Sequence, residues 1–261
     1  MQKTELPGND KKYDLENIAA LEEITAETNK VTTAETNKET TEENIDETNK
    51  KITQKNTLKG KTICFLGSSV TKGEASEGIS FADYIGKRNR CTIIKEAVSG
   101  TTLVNEGPDS YVDRINMIDK NSKIDLFVCQ LSTNDASQKK ALGDISDGNE
   151  TNSFDVTTIT GAIEHITKYA MDTWKCPVVF FTNVMYDSLE YQNMVTRLYE
   201  LQKKWGIGII DLWGDTEING INSEKYYLYM ADAIHPTKAG YLEWWTPKME
   251  KYLKWWLSET K

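Results

Sequence analysis

The sequence predicts an α/β fold built on a mainly parallel sheet. Three observations lead there. Apolar runs of strand length at 62–66, 91–98, 124–131, 177–184 and 207–213 alternate with segments of helical period. Buried parallel strands read as such near-continuous runs, and strands alternating with helices make parallel sheets. The first three runs each end in small polar residues: Gly67-Ser68-Ser69, Ser99-Gly100-Thr101 and Ser132-Thr133-Asn134-Asp135. Parallel strands end on one edge of their sheet, and ligands bind beyond that edge.

In chain order, residues 1–59 stand apart. Tyr13 is their one aromatic residue, and TAETNK at 25–30 recurs at 33–38 and, as DETNK, at 46–50. Leu15, Ile18, Leu21 and Ile24 recur every three residues, which predicts a short amphipathic helix over 13–24. Beyond it too little apolar surface remains to offset the entropy of ordering the chain. The expectation is a flexible or partly helical stalk over 1–59, with a coiled-coil or docking segment as the alternative, and a catalytic domain over 60–261.

Within the domain, FADYIGKRNR at 81–90 predicts a helix capped by Ser80. A second helix is predicted over 109–119, and a polar loop over 136–156. Ile159, Ala162, Ile163, Ile166, Ala170 and Trp174 form the apolar stripe of a helix over 158–174. His165 falls on its polar face and is expected to be solvated. Another helix covers 189–205. The last, over 238–257, is expected to split at Thr246-Pro247, since threonine caps and proline suits a first helical turn. Leu242, Trp245, Met249, Tyr252, Leu253 and Trp256 recur at helical spacing, so they are expected to pack on the sheet, with Trp244 and Trp255 partly exposed.

Ser69, on the tight turn after the first strand, is the candidate nucleophile. A serine hydroxyl needs a base within hydrogen-bond reach, and the base needs a group that holds its tautomer. Near the C-terminus Asp232 and His235 stand three residues apart, just before Pro236. The residue before proline favours extended geometry, which lets this carboxylate and imidazole meet. An oxyanion also needs donors. The candidates are the backbone N–H groups of Ser69 and Gly100 and the side-chain amide of Asn134. Asp135 reads as a loop-holding residue.

These blocks resemble the SGNH, or GDSL, hydrolase family. GSSVTKG at 67–73 is similar to its nucleophile block, VSGTT at 98–102 to its glycine block, STND at 132–135 to G-x-N-D, and DAIHP at 232–236 to D-x-x-H-P. The resemblance spans 61–241. It implies a flavodoxin-like three-layer α/β/α sandwich with a five-stranded mainly parallel sheet, and serine ester hydrolysis without metal or cofactor. It assigns Ser69, Asp232 and His235 to the triad, and Ser69, Gly100 and Asn134 to the oxyanion hole. Two positions depart from the pattern: Ser68 stands where the family has aspartate, and Ser132 where it has glycine. The first is expected to alter how the turn is held, the second to tighten the space near Asn134.

Composition narrows the class further. The net charge of −9 argues against a nucleic-acid partner. No run approaches the roughly 20 apolar residues of a membrane span, and the first residues lack a signal's apolar core, so a soluble chain is expected, as such or as the trimmed form of an exported protein. Cys64, Cys91, Cys129 and Cys176 show no metal or redox spacing, and two histidines make a histidine-rich metal centre hard to build. GSSVTKG lacks the ending of a phosphate loop. The polar loop at 136–156, expected to border the site, favours a short acyl group, acetyl foremost, on a small polar or glycan ester. Acyl transfer by the same triad, and a catalytically silent glycan-binding or scaffold protein, are the alternatives.

Overall fold

The computed structural model describes residues 56–259. Five strands, β1 (Thr62–Gly67), β2 (Thr92–Ala97), β3 (Leu126–Gln130), β4 (Val178–Phe181) and β5 (Gly208–Ile210), form one sheet in the order β2-β1-β3-β4-β5. Every pairing is parallel. This is a flavodoxin-like three-layer α/β/α sandwich.

Strand residues alternate between its faces. Cys64, Leu66, Phe127, Cys129, Val178 and Phe180 belong to one apolar core, and Ile63, Phe65, Leu126, Val128, Val179 and Phe181 to the other. The chain steps one way from β1 to β2 and the other way ever after. Right-handed crossovers therefore put the connecting helices on opposite faces. Helix α2 (Phe81–Asn89) and the C-terminal helix lie over one core; α5 (Ile159–Trp174) and α6 (Leu189–Trp205) lie over the other. The direction reverses between β1 and β3, and a crevice opens beyond their carboxyl ends. Ser69 follows one of these strands and Asn134 the other.

The helices start where their caps dictate. Ser80 and Asp83 form a reciprocal capping box at α2, Thr158 caps α5 and Ser188 caps α6. Four expectations are corrected. The unit that carries the sheet begins at Asn56, not residue 60: Leu58 is fully buried, and Thr57 Oγ1 donates to the Lys254 carbonyl at 2.8 Å. The rest of the predicted stalk, with its helix over 13–24, lies outside the described residues. The helix expected over 109–119 is one α turn, α3 (Tyr111–Arg114), followed by a 3-10 turn at Ile115–Met117. His165 is half-buried and stacks on Tyr169 with ring centroids 6.2 Å apart, and burial lowers its pKa. Glu164 beside it is fully buried and accepts from Lys204 Nζ, Trp205 Nε1 and the Ser146 N–H. That cluster ties the loop down onto this face of α5.

The C-terminal helix does not split. A π-helical segment (Gly240–Trp245) runs into α7 (Thr246–Glu259), and the Thr246 N–H reaches back five residues to the Tyr241 carbonyl. The wider turn accommodates Pro247, which has no N–H and would clash in a regular α-helix. Trp245, Met249 and Leu253 are fully buried, whereas Trp255 is exposed. Cys64, Cys129 and Cys176 are buried; burial pushes all three thiols up, Cys176 to about 12. They are neutral packing groups at ordinary pH.

Candidate active site

β1 runs into Gly67, and Ser69 opens the short helix α1 (Ser69–Lys72). A Cβ on Gly67 would sit 1.9 Å from Thr71 Oγ1, so only glycine lets the chain turn this tightly. The turn is gripped from β3. Gln130 Oε1 accepts from the Ser68 N–H at 3.0 Å, the Thr71 N–H at 3.2 Å and the Thr71 hydroxyl at 2.8 Å, while its Nε2 donates to Ser68 Oγ at 3.1 Å. Ser68, which departs from the family pattern, is thus one end of a buried amide clamp. From the other side Tyr241 donates its hydroxyl to the Val70 carbonyl at 2.7 Å.

His235 arrives on a loop closed by a bridge between Met230 and Pro236. Asp232 Oδ1 accepts the N–H groups of Ile234 at 2.7 Å and His235 at 2.8 Å. Both carboxylate oxygens face His235 Nδ1, at 2.8 and 3.0 Å, and Nε2 lies 2.8 Å from Ser69 Oγ. A carboxylate only accepts, so Nδ1 carries the proton and Nε2 accepts from the serine hydroxyl. Burial acts to raise the Asp232 carboxyl, but the His235 ring and the two N–H groups outweigh it and hold the pKa below its ordinary value.

Gly100 and Asn134 meet each other at Thr101. Asn134 Nδ2 donates to the Thr101 carbonyl at 2.8 Å, which leaves one of its two amide hydrogens for another acceptor. Gly100 turns at φ +79, in the left-handed region, with open space beside its Cα. Among the described residues neither makes a hydrogen bond to Ser69 or His235. Ser132 caps α4 (Thr133–Ser137), accepting the N–H groups of Asn134 and Asp135. Asp135 is fully buried and accepts the N–H groups of Leu103 and Val104 at 2.7 and 3.2 Å; burial raises its pKa despite them.

A cavity of about 380 Å³ adjoins this segment. Gly100 and Thr101 line one side, Glu106 and Asp109 another, and of the polar loop at 136–156 only Gln138 reaches it. The rest of that loop packs on α5: its Leu142 carbonyl accepts the Thr160 N–H at 2.9 Å, and its Ser146 N–H donates to Glu164. Glu74, Lys72 and Ser99 form a second polar cluster at the strand ends, and the Ser99 hydroxyl and then Lys72 lower the Glu74 pKa. No group of three His, Cys, Asp or Glu side chains among the described residues is arranged to hold a metal.

Sequence reasoning missed Gln130, Tyr241 and Asn183. Asn183 Nδ2 donates to the carbonyl of Ile234 at 3.2 Å, next to His235. A polar residue closing the apolar run LFVCQ was the available signal for Gln130.

Solved structures share this architecture. A protein from Lactobacillus plantarum aligns with a TM-score of 0.62 at 17% identity, over 78% of this chain and 99% of its own. One from Bacteroides ovatus, described as a GDSL-like lipase, aligns at 0.55 and 17%, over 77% and 99%. The fold is that of the GDSL hydrolases. The same GDSL fold aligns with an acetyl xylan esterase, AlAXEase, at 0.51 and 14% identity, over 73% of this chain and 98% of that one. No family model and no curated protein matches the chain.

Proposed function

We propose that the protein is a serine esterase that removes short acyl groups, acetyl foremost, from a polar alcohol such as a sugar. The observation that carries the reading is the line from Asp232 through His235 to Ser69, with 2.8 Å at each step. In this reading Ser69 Oγ attacks the ester carbonyl as its proton passes to His235 Nε2. Asp232 stabilises the imidazolium that forms. The tetrahedral oxyanion takes hydrogen bonds from the N–H groups of Ser69 and Gly100 and from Asn134 Nδ2. His235 then returns the proton to the leaving alkoxide, freeing the alcohol and an acyl-enzyme. A water, deprotonated by the same imidazole, attacks that acyl-enzyme and releases the carboxylic acid and Ser69.

The cavity beside Gly100, which Ser69 and His235 do not line, supports the substrate class. Its walls carry serine, threonine, glutamine and two carboxylates, which suit hydroxyl groups, whereas an acyl-chain tunnel is lined by apolar side chains. The acetyl xylan esterase with this fold is consistent with that choice. The test is a series of nitrophenyl esters from acetate to octanoate, with acetylated sugars, on the wild type and Ser69→Ala. The expected result is turnover that falls with acyl length and vanishes in the variant. Turnover that rises with acyl length would overturn the substrate class; a wild type no better than Ser69→Ala would overturn the esterase.

A further inference from the structure

We infer that Arg114 is a positioning residue that sets the spacing between the nucleophile turn and the oxyanion loop; this rests on the esterase reading above. Arg114 ends α3 and is only 2% exposed. Arginine is almost never buried so deeply unless its donors are all paired. Here the guanidinium reaches five acceptors. Nε donates to the Asp109 carbonyl at 2.8 Å. Nη1 donates to the Glu96 carbonyl and to Glu96 Oε1, both at 3.1 Å. Nη2 donates to the Gly67 carbonyl at 2.8 Å and to Thr101 Oγ1 at 3.0 Å.

Those acceptors come from separate parts of the site. Gly67 ends β1 two residues before Ser69, Glu96 lies on β2, Thr101 follows Gly100, and Asp109 lines the adjoining cavity. One planar, rigid fork therefore fixes their mutual separations. Thr101 is held from two sides: Arg114 takes its hydroxyl, while Asn134 and Ser132 take its carbonyl at 2.8 and 3.4 Å. Gly100 has open space where a side chain would pack, so its placement follows that of Thr101. An oxyanion donor works only at a fixed distance from the reacting carbonyl, and a misplacement of about 1 Å costs on the order of 100-fold in rate. Lysine offers a compact point charge without the fork and reaches fewer of the five acceptors.

A residue that served folding alone would leave turnover per folded molecule unchanged. The experiment therefore measures kcat and KM on nitrophenyl acetate for purified, folded Arg114→Lys and Arg114→Ala, alongside the wild type. The expected result is a fall in kcat of roughly 10- to 100-fold with KM held within about twofold. Methylguanidinium added to Arg114→Ala is expected to restore part of kcat, and ammonium at equal ionic strength is not. If Arg114→Ala does not fold, Arg114→Lys carries the test. A folded variant with wild-type kcat, or one that loses activity through KM alone, would overturn the role, as would rescue by ammonium equal to that by methylguanidinium. A wild type without esterase activity would sink the functional reading and this one with it. An active wild type beside an equally active Arg114→Lys would sink this one only.

Discussion

The serine and the imidazole that face each other across 2.8 Å are held in opposite ways. Ser69 is 7% exposed, and its neighbours Ser68 and Thr71 are fully buried. Its turn is fixed by Gln130, some 60 residues away in sequence, and by Tyr241, 171 residues from the carbonyl it holds. The His235 side closes mostly on itself. Asp232 reaches two N–H groups and a ring within three residues, and its side chain is 56% exposed. This loop is tied to the sheet region by the Asn183 amide on the Ile234 carbonyl and by Met230 and Ile234, which pack on the core beneath. The candidate nucleophile is therefore built into the core, whereas the candidate base and its carboxylate sit on a locally folded loop, with His235 half-buried and Asp232 exposed. Substitutions in the first half should cost stability along with rate; those in the second should cost rate and little stability.

The largest expected effect falls on the exposed half. Asp232→Asn keeps an oxygen for the loop's N–H groups but turns an amide toward Nδ1 and favours the wrong tautomer. By analogy with other triads, kcat should drop roughly 10⁴-fold. The melting temperature should stay close to that of the wild type. A parallel collapse of stability would erase the contrast between the halves.

Next comes Gln130→Leu in the buried half. It strands the Ser68 and Thr71 N–H groups and the Thr71 hydroxyl, each at about 1–3 kcal/mol for a buried unpaired donor. A stability loss of about 3 kcal/mol or more by urea denaturation is expected, with kcat reduced as well. A loss under about 0.5 kcal/mol would show that the clamp does not hold the turn.

The smallest effect is in pH. The Asp232 carboxyl titrates below the ordinary aspartate value of about 3.9. Its pairing therefore stabilises the fold fully above that value and is lost as pH falls through the lowered pKa. Because the carboxylate is more than half exposed, solvent screens most of this. The small difference in melting temperature between wild type and Asp232→Asn should stay flat above about pH 4 and close below it. A difference that widens on acidification would contradict the sign.

What was legible in the sequence follows the same division. The alternation of strands and helices and their local caps, Ser80 and Thr158 among them, are written in short-range patterns. So is the reach of Asp232 to His235, three residues on. Gln130 and Tyr241 act across long sequence separations; the polar end of LFVCQ marks Gln130 as unusual, but a single chain does not show which residues either one holds. The unbroken C-terminal helix was hidden because a π-helical segment, set by tertiary packing around Trp245, relieves the clash that Pro247 would otherwise cause. His165 misled because helical spacing says nothing of the loop folded over its face.

In the proposed function Ser69 is a nucleophile activated by His235. That activation is tested most directly by reacting the folded protein with a fluorophosphonate and mapping the adduct by peptide mass spectrometry. The expected result is a single adduct on Ser69 in the wild type, formed far more slowly in His235→Ala and absent in Ser69→Ala. A folded wild type left unmodified at Ser69, or labelled equally fast without His235, would contradict it.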